Sequence, residues 1–156
     1  MNLGDRLIEA MGCYGGVNEG FIPVSNPDSY YGTYAAVRLT DGVDVLVRMT
    51  IRAPYSIVSV GTAVALVIPA GTGNLRRSVA TNFATCAEDY QTHTDSIAAG
   101  EEAVTTDEIE CLDISDALTG VAAGDFVGVE FTRHGSHAND TVNADCYFLG
   151  ILVMRA

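Results

Sequence analysis

The chain has 156 residues, with 20 acidic side chains against eight basic ones, a formal net charge of −12 and no lysine. A groove that tracks phosphates needs clustered cations, and Arg76-Arg77 is the only adjacent basic pair, so a nucleic-acid partner is not expected. The longest apolar run, Val58 to Ala70, is interrupted by Ser59, Gly61 and Thr62 and is too short to span a bilayer, so a membrane partner is not expected either.

Residues 1–20 read as an arm. Leu3, Leu7, Ile8 and Met11 fall at helical spacing, and Gly12, Gly15 and Gly16 supply a joint. Asp5 and Glu9 break any continuous apolar core, so the segment does not read as a secretory signal and export is not expected. Pro23 to Gly32, with Asn26, Asp28 and the tyrosines Tyr30 and Tyr31, reads as a loop.

From residue 21 to 156 the expectation is one β domain. Val43, Val45, Val47, Met49 and Ile51 alternate with Asp44, Arg48, Thr50 and Arg52, the pattern of a half-buried strand. Tyr34 to Thr40 is expected to pair with it as a hairpin through Asp41-Gly42. Ile57 to Ile68 reads as two strands or as one strand bent at Gly61. Asn74 to Thr85, Ala103 to Ile114, Phe126 to Arg133 and Cys146 to Met154 bring the count to seven or eight. Asp113 to Asp125 holds room for one helical turn capped by Ser115 or Asp116. Val, Ile and Thr make up 40 of the 156 residues and no second amphipathic helix is visible, so an all-β antiparallel sandwich is the expected class.

The segment Gly124 to Val153 has a Gly-Asp turn at 124–125, an alternating strand ending in Arg133, the pair Asp140-Thr141 and a final apolar strand. It resembles the C-terminal hairpin of small jelly-roll proteins encoded by tailed phages and related viruses. The resemblance implies a jelly-roll-like sandwich located in a virion. It implies a capsid decoration or cement protein that forms a homo-oligomer, a trimer or another closed ring, on a shell of major capsid protein. A head-fibre or tail-fibre module that recognises host surface carbohydrate is the alternative. The arm residues Leu3, Leu7, Ile8 and Met11 are then the expected attachment segment. Tyr14, Tyr30, Tyr31 and Tyr34 suit an interface or a sugar platform.

Asp125 is expected to accept backbone N–H bonds at its turn, and Arg133 to reach Asp140 across the following loop. Catalysis is not expected. His134, His137 and Asp140 lack the spacing of a zinc site, and Ser136 beside His137 is not expected to act as nucleophile and base, since adjacent residues on a chain rarely face one another. No cofactor is expected, with calcium on acidic loops such as Asp95 with Glu101-Glu102, Asp107-Glu108 with Glu110, or Asp140 with Asp145 as the one alternative. Cys13, Cys86, Cys111 and Cys146 form no Cys-x-x-Cys pair and are expected as reduced core thiols, with two disulfides in one of three connectivities as the alternative. The acidity suits solubility, with a high-salt habitat as a second reading.

Overall fold

The computed structural model describes residues 19–24, 27–53 and 59–155. Ten strands are present in it: β1 (Glu19–Pro23), β2 (Ser29–Tyr31), β3 (Tyr34–Leu39), β4 (Asp44–Arg52), β5 (Val60–Pro69), β6 (Gly73–Ala84), β7 (His93–Val104), β8 (Glu110–Asp113), β9 (Phe126–His134) and β10 (Cys146–Arg155). One sheet has the order β2-β3-β10-β5-β8, with β1 also paired to β10, and the other has the order β4-β9-β6-β7. From β3 to β10 this is the jelly-roll order, in which two antiparallel ribbons, β3–β4 with β9–β10 and β5–β6 with β7–β8, roll up into facing sheets.

Alternation places the core. Val47 and Met49 of β4, Val127, Val129 and Phe131 of β9, and Leu75, Val79 and Phe83 of β6 point inward against Ala63, Ala65 and Val67 of β5 and Phe148 and Ile151 of β10. Phe131 and Phe148 meet across the two sheets with ring centroids 5.1 Å apart. Each buried side chain of this size contributes about 1.5–3 kcal/mol.

Several expectations change. Tyr34 to Thr40 and the following strand do not form a hairpin: β3 pairs with β10 in one sheet while β4 pairs with β9 in the other. Asp41-Gly42, with Gly42 at φ 73°, is the corner where the chain crosses between sheets. Turn chemistry alone does not distinguish a hairpin from such a corner, because both need a positive φ. The expected strand Ala103 to Ile114 is broken between β7 and β8 by a turn in which Asp107 takes φ 64° and the Glu110 carboxylate accepts the Thr105 N–H at 2.6 Å. The region read as a loop before Gly32 contains β2. Pairing with β10 already starts at Glu19, within the last two residues of the expected arm.

Gly61 is a bulge in one continuous strand, since Met154 faces Thr62 and Arg155 faces Val60. The helical turn is a 3-10 turn at Ser115–Leu118, but Ile114 occupies the capping position and no side chain caps it. The Ser115 hydroxyl is instead bonded to Asp113 Oδ1 at 2.6 Å and accepts the Ala63 N–H at 3.0 Å. Of the three described cysteines all are free thiols, yet Cys86 and Cys111 are exposed and only Cys146 lies in the core. Cys111 sits on β8, where alternation turns it away from the core that Leu112 enters.

Candidate functional site

Arg133 points inward from β9 with a side chain that is 0% exposed, opposite an Asp140 side chain that is also 0% exposed. Its Nη2 donates to Asp140 Oδ1 at 2.8 Å and its Nε to Asp140 Oδ2 at 3.2 Å. Nη1 donates to the carbonyls of Leu39 at 2.9 Å and Ala144 at 2.8 Å, and Nη2 to that of Val142 at 2.6 Å and to Asp41 Oδ1 at 3.3 Å. Asp140 Oδ2 also accepts the Arg76 N–H at 3.1 Å. The guanidinium thus ties the β9–β10 loop to the end of β3 and to the corner at Asp41. Its donors are committed within the fold, so the node positions loops and presents nothing to a ligand.

Asp125 is likewise buried, and its Oδ2 accepts the Ala122 N–H at 2.8 Å. Its carbonyl accepts the Ala53 N–H at 2.8 Å, which locks the approach to β9 against the end of β4. Leu3, Leu7, Ile8, Met11, Cys13 and Tyr14 lie outside the described residues.

The outer face of the six-stranded sheet differs from a solvated one. Ala36, Ile68 and Leu149 form a second buried apolar cluster there, packed against Phe21, Tyr31, Leu66 and Tyr147. Tyr31 of β2 lies on Tyr147 with ring centroids 4.7 Å apart and donates its hydroxyl to Asp107, a bond that pushes the phenol pKa up. Beside this cover an open groove of about 390 Å³ is lined by Phe21, Pro23, Tyr34, Leu66, Ile109 and Leu149, among others. Tyr34 at 49% and Ile109 at 47% exposure stand at its rim, and Tyr30 is 72% exposed. Contiguous apolar surface of this kind marks interaction sites. The sequence reading reached Tyr34 but not Leu66, Ile109 or Leu149, which look like ordinary strand residues until the sheet order brings them together.

The other sheet's outer face is mostly polar, with Leu46 and Phe126 as exposed large apolar side chains on it. Arg76 and Arg77, adjacent in sequence, point to opposite faces: Arg76 outward to Glu101, Arg77 inward to Glu102 and to the Asp113 carbonyl at 2.7 Å. The acidic stretches weighed for calcium have internal partners as well. Asp95 Oδ2 accepts the Thr119 hydroxyl at 2.6 Å and Asp145 Oδ1 the Asp41 N–H at 2.9 Å. Among the described residues no three of His, Cys, Asp or Glu converge as a metal site. Ser136 and His137 point apart: Ser136 donates to Asp44, and His137 Nδ1 accepts the Asn139 N–H. His134 instead meets Ser78, 56 positions away in the chain, at 2.8 Å. No family model matches the chain, and no curated protein matches it.

Proposed function

We propose that this protein is a virion structural component, a capsid decoration or cement protein that assembles as a closed homo-oligomer on a shell. The observation that supports the reading best is the apolar groove on the outer face of the six-stranded sheet. Its proposed occupant is the arm of a neighbouring copy. The sequence before Glu19 carries Leu3, Leu7, Ile8 and Met11 at helical spacing, and it leads into β1, whose Phe21 and Pro23 line the groove. The stripe needs an apolar partner, and the groove is the apolar surface nearest in character.

The test is the mass of the full-length chain in solution together with its retention on shells of major capsid protein. The expected result is a ring that co-sediments with shells, and an Ile109→Glu chain that keeps its fold but elutes as a monomer and stays in the supernatant. A wild-type monomer that ignores shells would overturn the reading.

One feature favours the alternative of carbohydrate recognition. Tyr90 at 70% and Phe126 at 43% exposure flank a groove of about 270 Å³ on the four-stranded sheet, where Gly128 lies between Thr50 and Asn82. Aromatic faces beside amide and hydroxyl groups suit a sugar ring. Glycan binding lost in Tyr90→Ala, without shell binding, would support this alternative over the first reading.

A further inference from the structure

Three adjacent strands of the four-stranded sheet bring Asp44, His134 and Ser78 together on its outward face. Ser78 Oγ stands 2.8 Å from His134 Nε2, and His134 Nδ1 stands 3.5 Å from Asp44 Oδ2. The register accounts for the grouping. Asp44 lies directly opposite His134, and Ser78 lies opposite Thr132, which makes it a diagonal neighbour of His134. Asp44 is itself held: its Oδ1 accepts the Ser136 N–H at 3.1 Å and the Ser136 hydroxyl at 2.7 Å, bonds that keep the carboxyl below the usual carboxylate range.

The backbone beside Ser78 is irregular. Arg77 faces Gly100 and Val79 faces Ile97, so two residues of β7, Ala98 and Ala99, stand opposite the single residue Ser78. Such a bulge leaves its extra residue outside the ladder, and bulges are over-represented beside active sites. A nucleophile hydrogen-bonded to a base and a base oriented by an anchored carboxylate are two parts of an acyl-transfer centre, and the irregular backbone of β7 lies beside them.

We infer that Ser78, His134 and Asp44 hydrolyse short acyl esters, with Ser78 as nucleophile, His134 as general base and acid, and Asp44 as the positioning residue. With the neutral ring protonated at Nδ1, towards Asp44, the Ser78 hydroxyl donates to Nε2. Oγ attacks the ester carbonyl carbon as its proton passes to Nε2, which leaves a tetrahedral oxyanion. The carbon–oxygen bond to the alcohol then breaks, the alcohol leaves with the proton from Nε2, and an acyl-Ser78 ester remains. Water attacks that ester, gives one proton to Nε2 and releases the carboxylic acid, and the proton returns to Ser78. The site lies open on a sheet face, which fits a small acyl group carried on a larger molecule. This activity is independent of the assembly reading, since it uses the opposite sheet.

The test uses the full-length protein, p-nitrophenyl acetate as substrate and a fluorophosphonate probe read by mass spectrometry. One phosphonyl group per chain, located on Ser78, is expected. Ser78→Ala and His134→Ala are expected to lower kcat/KM on the order of 100-fold, the low end of a general base's contribution, while His93→Ala and His137→Ala leave it unchanged. Asp44→Asn is expected to lower kcat with KM unchanged, and Asp44→Glu to recover part of it. Wild-type turnover no faster than that of Ser78→Ala, or a probe that leaves Ser78 unlabelled, would overturn the inference. Labelling of the wild type decides this even where a variant does not fold.

Discussion

Arg133 brings a full charge into the interior, where desolvation costs several kcal/mol unless the group is paired and its donors are used. Both conditions hold, through Asp140 and three backbone carbonyls. Arg133→Ala strands a buried carboxylate and those carbonyls, so it is expected to cost about 3–5 kcal/mol in denaturant unfolding. An apolar replacement of both Arg133 and Asp140 is expected to recover little, because the carbonyls of Leu39, Val142 and Ala144 stay unpaired. A loss under about 1 kcal/mol would show that water replaces the guanidinium. The Arg133–Asp140 contact was legible from strand-end position and spacing; the carbonyls were not, because Leu39 comes from the far end of the chain. Cys146 lies beside this node, and burial pushes its thiol up to about 11 from an ordinary 9.0. A raised folded pKa contributes stability that is complete below pH 9 and is lost as pH rises through about 11. Iodoacetamide at neutral pH is therefore expected to modify Cys86 and Cys111 in the folded chain and Cys146 only after unfolding. Rapid native labelling of Cys146 would contradict its placement.

At the scale of elements, β10 serves two partners along one edge. Cys146 to Phe148 pair with β3, and Gly150 to Met154 pair with β1. The exchange occurs at a bulge, since Phe148 faces Val67 and Gly150 faces Leu66, leaving Leu149 out of the ladder. Gly150 takes φ 151°, and a Cβ there would stand 2.2 Å from the Ile22 carbonyl oxygen. Gly150→Ala is expected to push β1 off the sheet at a cost of about 1–3 kcal/mol. Hydrogen exchange checks this: amides of β1 should lose protection while β4 and β9 keep theirs, and unchanged protection of β1 would contradict it. Strand β4 was legible because a strand solvated on one face alternates cleanly. Residues 93–102 of β7 were missed because an edge strand with one side in water holds few large apolar residues, here Ile97 with the small Ala98 and Ala99 among Ser96, Gly100, Glu101 and Glu102. The Ser78–His134 contact was invisible for a related reason, since only the β6–β9 register connects residues so distant in the chain.

At the scale of the molecule, the two outer faces have different characters, with a buried apolar cluster on the six-stranded sheet and mostly polar side chains on the four-stranded one. The β-sandwich class followed from composition and period, whereas the apolar outer face needed the sheet order, which local patterns do not encode. In the proposed assembly the apolar face takes up a neighbour's arm and closes a ring. Light scattering on eluting full-length protein, beside the Ile109→Glu chain, tests it most directly. One closed oligomer is expected for the wild type and a folded monomer for the variant. A wild type that remains monomeric at high concentration, or a variant that assembles as the wild type does, would contradict it.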